Sequence, residues 1–220
     1  MRAARVYPKR APLRRRDRAG KLPRMDSDEQ LLERWRAGDQ ASGRALFQRY
    51  FDAMHWFFAT KCDEPRELAQ RTFVAIVKAR DQFAGRSSFR TYLYRIARNE
   101  LYAHLRGLRQ ARKFDPESSS IVDLVTTPAA KLARNDDHQR MLEALRALPV
   151  EQQTLLELHY WEELDAQQLA EVFATTPGAI RVRLTRARAA LRERMEAGPP
   201  PAAPITTDEQ LDTWARSTRG

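Results

Sequence analysis

Residues 175–191 read TTPGAIRVRLTRARAAL, and the spacing within them sets the frame for the whole chain. Thr176 followed by Pro177 marks a helix start, because proline's fixed φ suits the first turn and its missing N–H is no loss there. From that start Ile180, Leu184, Ala187, Leu191 and Met195 recur at the helical period, one apolar stripe that must face a core. Arg181, Val182, Thr185, Arg186 and Ala189 then point away from the stripe. A merely solvated helix would alternate acids with bases for i,i+4 support. Here six arginines lie between Arg181 and Arg194, and the only acids, Glu193 and Glu196, come at the end. An arginine fork beside a hydroxyl and a methyl-rich side chain is the set that reads base edges in a major groove.

The preceding segment, LDAQQLAEVFATT, supplies Asp165 as an N-cap and Leu169, Ala170, Val172 and Phe173 as an inward face. A short helix, a tight turn, a small residue (Ala170) at the crossing and a longer basic second helix make a helix-turn-helix. Ala174 stands in the turn where glycine is more usual.

The chain has 220 residues, enough for one large or two small domains. Residues 1–25 hold ten Lys/Arg and one Asp, so they carry +9 of the net charge of +10. Residues 141–177 hold one Arg and seven acids, whereas 178–196 hold six Arg and two Glu, so the C-terminal part is polarised. Such charge speaks for polyanionic partners rather than for a fold. The lone Cys62 excludes an intrachain disulfide framework and offers no zinc set; a small buried residue is expected there. No apolar run is long enough for a membrane span, and the basic N-terminus lacks the apolar core of a secretory signal, so a cytoplasmic protein is expected.

Glycine is scarce and alternating β-type runs are absent, which predicts an all-α protein. Helices are expected at about 27–36, 40–61, 65–82, 88–107, 129–147, 150–163, 166–173 and 177–196. The polar, aperiodic stretch 108–128 reads as a flexible linker between two small helical domains, 26–107 and 129–197. Residues 1–25 are expected to be a disordered basic arm. A Pro-rich linker and a short tail fill 198–220, where Thr207 and Gln210 could cap one more helix.

The other informative segment is DQFAGRSSFRTYLYRIARNELYAHLR, residues 81–106. Phe83, Phe89, Tyr92 and Tyr94 are interleaved with Arg86, Arg90, Arg95, Arg98 and Arg106 around a Gly-Ser break. Unpaired bases stack on aromatic faces while arginines follow phosphates, so the combination suits an opened strand. Leu93, Ile96, Ala97 and Leu101 are core positions, and Tyr92 and Asn99 share a helical line with Ile96. The loop residues Gly85–Ser88 have no apolar anchor.

Together, ELAQRTFVAIVKARDQF, SSFRTYLYRIARNELYAHLR and LPVEQQTLLELHYWEELDAQQLAEVFATTPGAIRVRLTRARAAL resemble the extracytoplasmic-function sigma factors of bacterial RNA polymerase, within the sigma-70 family. The resemblance covers roughly 26–107 and 129–196. It implies two helical domains on a flexible linker and a role in promoter recognition and opening, with core RNA polymerase and promoter DNA as partners and no cofactor or metal. Its −35 readers fall on Arg181, Val182, Thr185 and Arg186, flanked by Thr176 and Arg188. Its −10 and melting residues fall on Gly85, Arg86, Ser87, Ser88, Phe89, Arg90, Tyr92, Arg95, Arg98 and Asn99. Its polymerase-binding surface falls on Glu67, Gln70, Thr72 and Phe73. Many members are held by an anti-sigma factor, though no residue here singles one out.

This chain departs from the family at Tyr92, usually Trp, and at Arg71 and His104, usually acids. Val182 replaces a frequent serine and Ala179 a frequent threonine. The resemblance begins at Met25, where MDSDEQLLERW opens on the cap of the first helix, so translation is expected to start there; if present, the arm would add sequence-independent attraction to DNA. A helix-turn-helix regulator acting outside the polymerase would explain 129–197 but not the aromatic–arginine segment. A helical adaptor would explain neither set of arginines. An enzyme is disfavoured, since His55, His104, His138 and His159 lie at no metal-binding spacing.

Overall fold

A computed structural model describes residues 26–83, 85, 87–108, 114–125 and 136–197. Residues 1–25, Ala84, Arg86 and the tail 198–220 lie outside these, and so do the expectations placed on them. Every regular element among the described residues is helical: α1 (Asp28–Arg36), α2 (Gln40–Ala59), α3 (Pro65–Ala79), α4 (Phe89–Gly107), α5 (Ile121–Leu124), α6 (Asp136–Arg146), α7 (Val150–Tyr160), α8 (Ala166–Phe173) and α9 (Pro177–Glu196). A 3₁₀ turn, Arg80–Gln82, ends α3.

Local chemistry accounts for the boundaries. Ser27 and Gln30 form a reciprocal capping box that starts α1, and Asp165 with Gln168 does the same for α8. The Asp39 carboxylate caps α2 through the Ala41 N–H and accepts from the Ser42 hydroxyl, bonds that hold its carboxyl below the usual range. Pro65 and Pro177 sit in the first turns of α3 and α9.

Helices α1–α4 pack around Leu46, Met54, Phe58, Leu68, Ile76, Leu93 and Leu101, all buried. Gly43 lets α1 and α2 cross closely: a Cβ there would lie 2.6 Å from the Trp35 ring. In the second unit α6–α9 pack around Leu145, Leu156, Leu169, Ile180 and Leu184.

The stretch expected to be a linker is folded where it is described. Ile121 is fully buried and Leu124 and Val125 nearly so, three apolar positions at i, i+3 and i+4 that make a single helical turn. One turn is too short to register as a period against polar neighbours. Just before it, the Ser119 and Pro116 carbonyls accept the N–H groups of Val150 and Glu151, each at 2.9 Å. Helix α7 begins at Pro149 without a side-chain cap, so the linker supplies the acceptors its first turn needs. Phe114 packs edge-on to Tyr102 of α4, centroids 5.9 Å apart.

The two units also pack against each other. Helix α4 lies along α8, and Lys61, after α2, is fully buried in an ion pair with Glu157 of α7.

Candidate nucleic-acid and polymerase interface

Helix α9 presents the face that its periodicity predicts. Ile180, Leu184, Ala187 and Leu191 are buried, while Arg181, Val182, Thr185, Arg186 and Ala189 are exposed. Val182 keeps 51% of its surface open, an unusual position for a β-branched residue on a basic helix. Thr176 spends its hydroxyl on the cap of α9, accepting from the Ala179 N–H at 3.2 Å. Ala174 takes the left-handed conformation, φ 53° and ψ 49°, that turns α8 into α9.

Two arginines of α9 are used inside the fold. Arg183 pairs with Glu151 at the start of α7, whose carboxyl burial pushes up and Arg183 pulls down. Arg188 donates from Nε to the Tyr160 hydroxyl at 2.7 Å, its second nitrogen lies 3.1 Å from His159 Nε2, and its guanidinium stacks on the Tyr160 ring. Arg188 is therefore a strut between α7 and α9 in this conformation, a role its sequence position does not disclose.

The aromatic residues of 83–94 are core residues. Phe89 and Tyr94 are fully buried, and Phe83 and Tyr92 nearly so. Phe89 packs on Tyr50 and Phe83 on Tyr92, centroids 5.7 and 4.6 Å apart. Their expected role as open stacking faces does not fit this conformation, because Phe83 packs on Tyr92 while Phe89 and Tyr94 pack on Tyr50 and Phe57 of α2. What remains open near the loop is Gly85, Arg95 and Asn99, with Ser87 and Ser88 partly exposed. Gly85 has φ +68° with open space around its missing Cβ, so its backbone, not crowding, calls for glycine. Ser88 caps α4 by accepting from the Thr91 N–H at 3.1 Å. Arg95 lies over the Tyr92 ring, 5.3 Å from its centroid.

Two further arginines of the expected −10 set are turned toward the second unit. Arg90 pairs with Glu162 at 3.0 Å and also donates to its carbonyl. Arg98 lies over the Tyr102 and Phe173 rings, 5.4 and 5.3 Å from their centroids, and donates to Asn99 at 3.2 Å. Burial draws the Arg98 guanidinium below its ordinary value.

On α3 the expected polymerase contacts divide by face. Glu67 and Gln70 are exposed, with Val74 and Val77 half open beside them. Thr72 and Phe73 point inward; Thr72 donates to the Leu68 carbonyl at 2.8 Å and Phe73 packs on Phe47. Arg71, one of the departures from the family, is paired with Glu100 of α4 at 3.1 Å. Cys62 is buried against the Phe58 carbonyl and its thiol is pushed up to about 12, an unreactive group.

A helical unit whose fourth helix carries Arg90, Arg95 and Arg98, joined to a helix-turn-helix whose second helix turns a basic, mixed face outward, defines a two-part nucleic-acid-binding protein. Among the described residues no group of side chains could hold a metal ion, and no helix is long and apolar enough to cross a membrane.

Comparison with known proteins takes this further. Residues 53–111 match the Sigma-70 region 2 family and residues 138–191 match Sigma-70, region 4. The RNA polymerase sigma-H factor of Pseudomonas aeruginosa is 28% identical over 184 residues, 78% of this chain and 95% of that protein. The ECF RNA polymerase sigma-E factor of Haemophilus influenzae is 25% identical over 182 residues, 77% of this chain and 96% of that protein. CnrH, solved in complex with the cytosolic domain of CnrY, shares the fold with a TM-score of 0.61 at 24% identity, covering 79% of this chain and all of that one. The chain belongs to the sigma-70 family, in its extracytoplasmic-function branch. It is a polymerase-associated sigma factor serving promoter recognition.

Proposed function

We propose the following division of labour within that activity. The outward face of α9, Arg181, Val182, Thr185 and Arg186, reads the −35 element, with Thr176 at the helix start near the phosphates. The observation that carries this reading is the open basic face with Val182 half exposed at its centre, since an apolar side chain there has a use against a thymine methyl and none against water. The loop 85–88, with Arg95 and Asn99, engages the opened −10 strand, and Arg90 and Arg98 join it once they leave the second unit. Phe89 and Tyr92 serve as the floor that holds this loop. The exposed side of α3, Glu67 and Gln70, meets core RNA polymerase, and Thr72 and Phe73 hold that helix in place from beneath.

In this reading residues 26–107 are sigma region 2 and 129–197 are region 4, and the chain acts by binding alone, without catalysis of its own. It works in the cytoplasm, on the nucleoid through the polymerase. An anti-sigma factor is the remaining partner that family membership suggests. Run-off transcription with core enzyme on the upstream region of the chain's own gene tests the whole. Shortening Gly85–Ser88 should leave polymerase binding intact and remove permanganate-reactive bubbles; equal loss of both would overturn the loop assignment.

A further inference from the structure

Helix α7 is tied to the recognition helix α9 near each of its ends. At its start Glu151 holds Arg183 through an ion pair. At its end the groups that receive Arg188 are the Tyr160 hydroxyl, at 2.7 Å, and the His159 ring, at 3.1 Å. A guanidinium stays protonated and has no acceptor, so Arg188 must donate to His159 Nε2. That nitrogen therefore carries a lone pair, and the ring proton sits on Nδ1. There the Leu164 carbonyl lies 3.2 Å away and accepts it. The turn fixes this carbonyl: Glu163 takes the left-handed φ of 51°, Leu164 is buried, and its N–H donates to the Leu158 carbonyl at 3.0 Å. The neutral ring with its proton on Nδ1 satisfies both neighbours. The other tautomer and the imidazolium each set N–H donors against one another across 3.1 Å.

We propose that His159 is a positioning residue for the recognition helix: while neutral it holds Arg188, and with it α9, against α7, and on protonation it lets go, so that promoter reading weakens in acid. The proposal rests on the −35 assignment of the open face of α9 for its consequence, though not for the tie itself. Arg188 follows Thr185 and Arg186 within one helical turn, so displacing it displaces the face that meets the bases. A helix tied at Arg183 and Arg188 has a fixed rotation, whereas one tied at Arg183 alone is free to roll. Base-edge hydrogen bonds weaken steeply as their angles open, so a small roll is enough to blur the reading. Histidine is the side chain whose charge ordinarily changes between about pH 5 and 8. The charged and titratable groups carried by the elements beside the ring are Tyr160 on its own helix, Arg188 and Arg192 on α9, Glu162, Glu163 and Asp165 in the turn, and Glu171 on α8. Glu162 is engaged by Arg90, and Asp165 caps α8. Because the Arg188 bond exists only with the neutral ring, the tie is complete above the titration of His159 and is lost as pH falls through it.

Two measurements test this. Nitrogen NMR of the imidazole rings in the full chain, without DNA, should find His159 as the Nδ1–H tautomer at about pH 7.5, above its titration range. Failure of the −35 reading would leave that result standing. Promoter binding by holoenzyme, with the same core enzyme throughout, then compares wild type with His159→Gln, whose amide oxygen takes the place of the Nε2 lone pair and does not titrate. Relative to that variant, wild type should lose roughly fivefold in affinity between about pH 7.5 and about pH 5.8, the scale of one lost hydrogen bond. His159→Lys should show the weakened binding already at the higher pH, and His159→Gln decides the matter if the lysine variant loses helicity. An Nε2–H tautomer, or parallel pH profiles for wild type and His159→Gln, would overturn the proposal.

Discussion

Two arginines two residues apart on α9 should behave as opposites. Arg186 stands on the exposed face, whereas Arg188 is half-buried, bonded to the Tyr160 hydroxyl at 2.7 Å and stacked on its ring. Arg188→Ala removes a charge-assisted hydrogen bond, about 1.5–3 kcal/mol when well shielded, and a cation–π contact of about 0.5–1 kcal/mol. Partial exposure brings the expected loss to about 1–2 kcal/mol. For a chain of this size each kcal/mol moves the melting temperature by about 2–4 °C, so a fall of roughly 2–8 °C is expected. Arg186→Ala should leave the melting temperature unchanged. Its cost falls on binding, about 1–3 kcal/mol at a single base pair, or roughly 5- to 150-fold in preference there. Thermal melts of both variants, set beside holoenzyme binding to promoters substituted at each −35 position, provide the comparison. If Arg186→Ala left base preference unchanged, or Arg188→Ala kept its melting temperature while losing DNA affinity, the assignment of the two roles would be refuted.

Gly43→Ala should destabilise by about 1–3 kcal/mol, because the added Cβ would meet the Trp35 ring at 2.6 Å and a packed indole cannot step aside; a denaturant midpoint equal to wild type would show that α1 can shift. Ala174→Gly should stabilise by about 0.5–1 kcal/mol, since glycine adopts the left-handed turn without the Cβ penalty, and an unchanged or lowered midpoint would count against that. His55 and His104 are both held below their ordinary 6.5, first by burial and then by Arg66 and Arg71 respectively. Their contribution is therefore fully present above 6.5 and is lost as pH falls through their depressed folded values, because the unfolded chain takes up the protons first. The double variant His55→Gln/His104→Gln should flatten the fall in stability just below pH 6.5; an undiminished slope would place its origin elsewhere.

Much of this molecule is legible residue by residue. The stripe from Ile180 to Leu191, the caps at Ser27, Asp165 and Thr176, and the prolines at 65 and 177 act within one or two helical turns. Their consequences, helix boundaries and the outward face of α9, therefore follow from spacing alone. The α5 turn shows where that kind of signal ends: Ile121, Leu124 and Val125 are correctly spaced, but one turn among polar residues has no repeat to stand out. The same limit hid the burial of Phe89 and Tyr94, since an aromatic residue near a loop has the same local pattern whether its ring meets a base or a neighbouring helix.

Contacts between distant elements carry no local pattern at all. Lys61 and Glu157 are 96 positions apart, and each, taken in its own segment, is an ordinary helix-end charge. Arg90, Arg98 and Arg188 look like their phosphate-seeking neighbours until Glu162, Phe173 and Tyr160 are brought beside them. Periodicity specifies which side of a helix must leave water, because that is a property of the helix. It cannot specify which surface the side is buried against, because that is a property of how the whole chain closes.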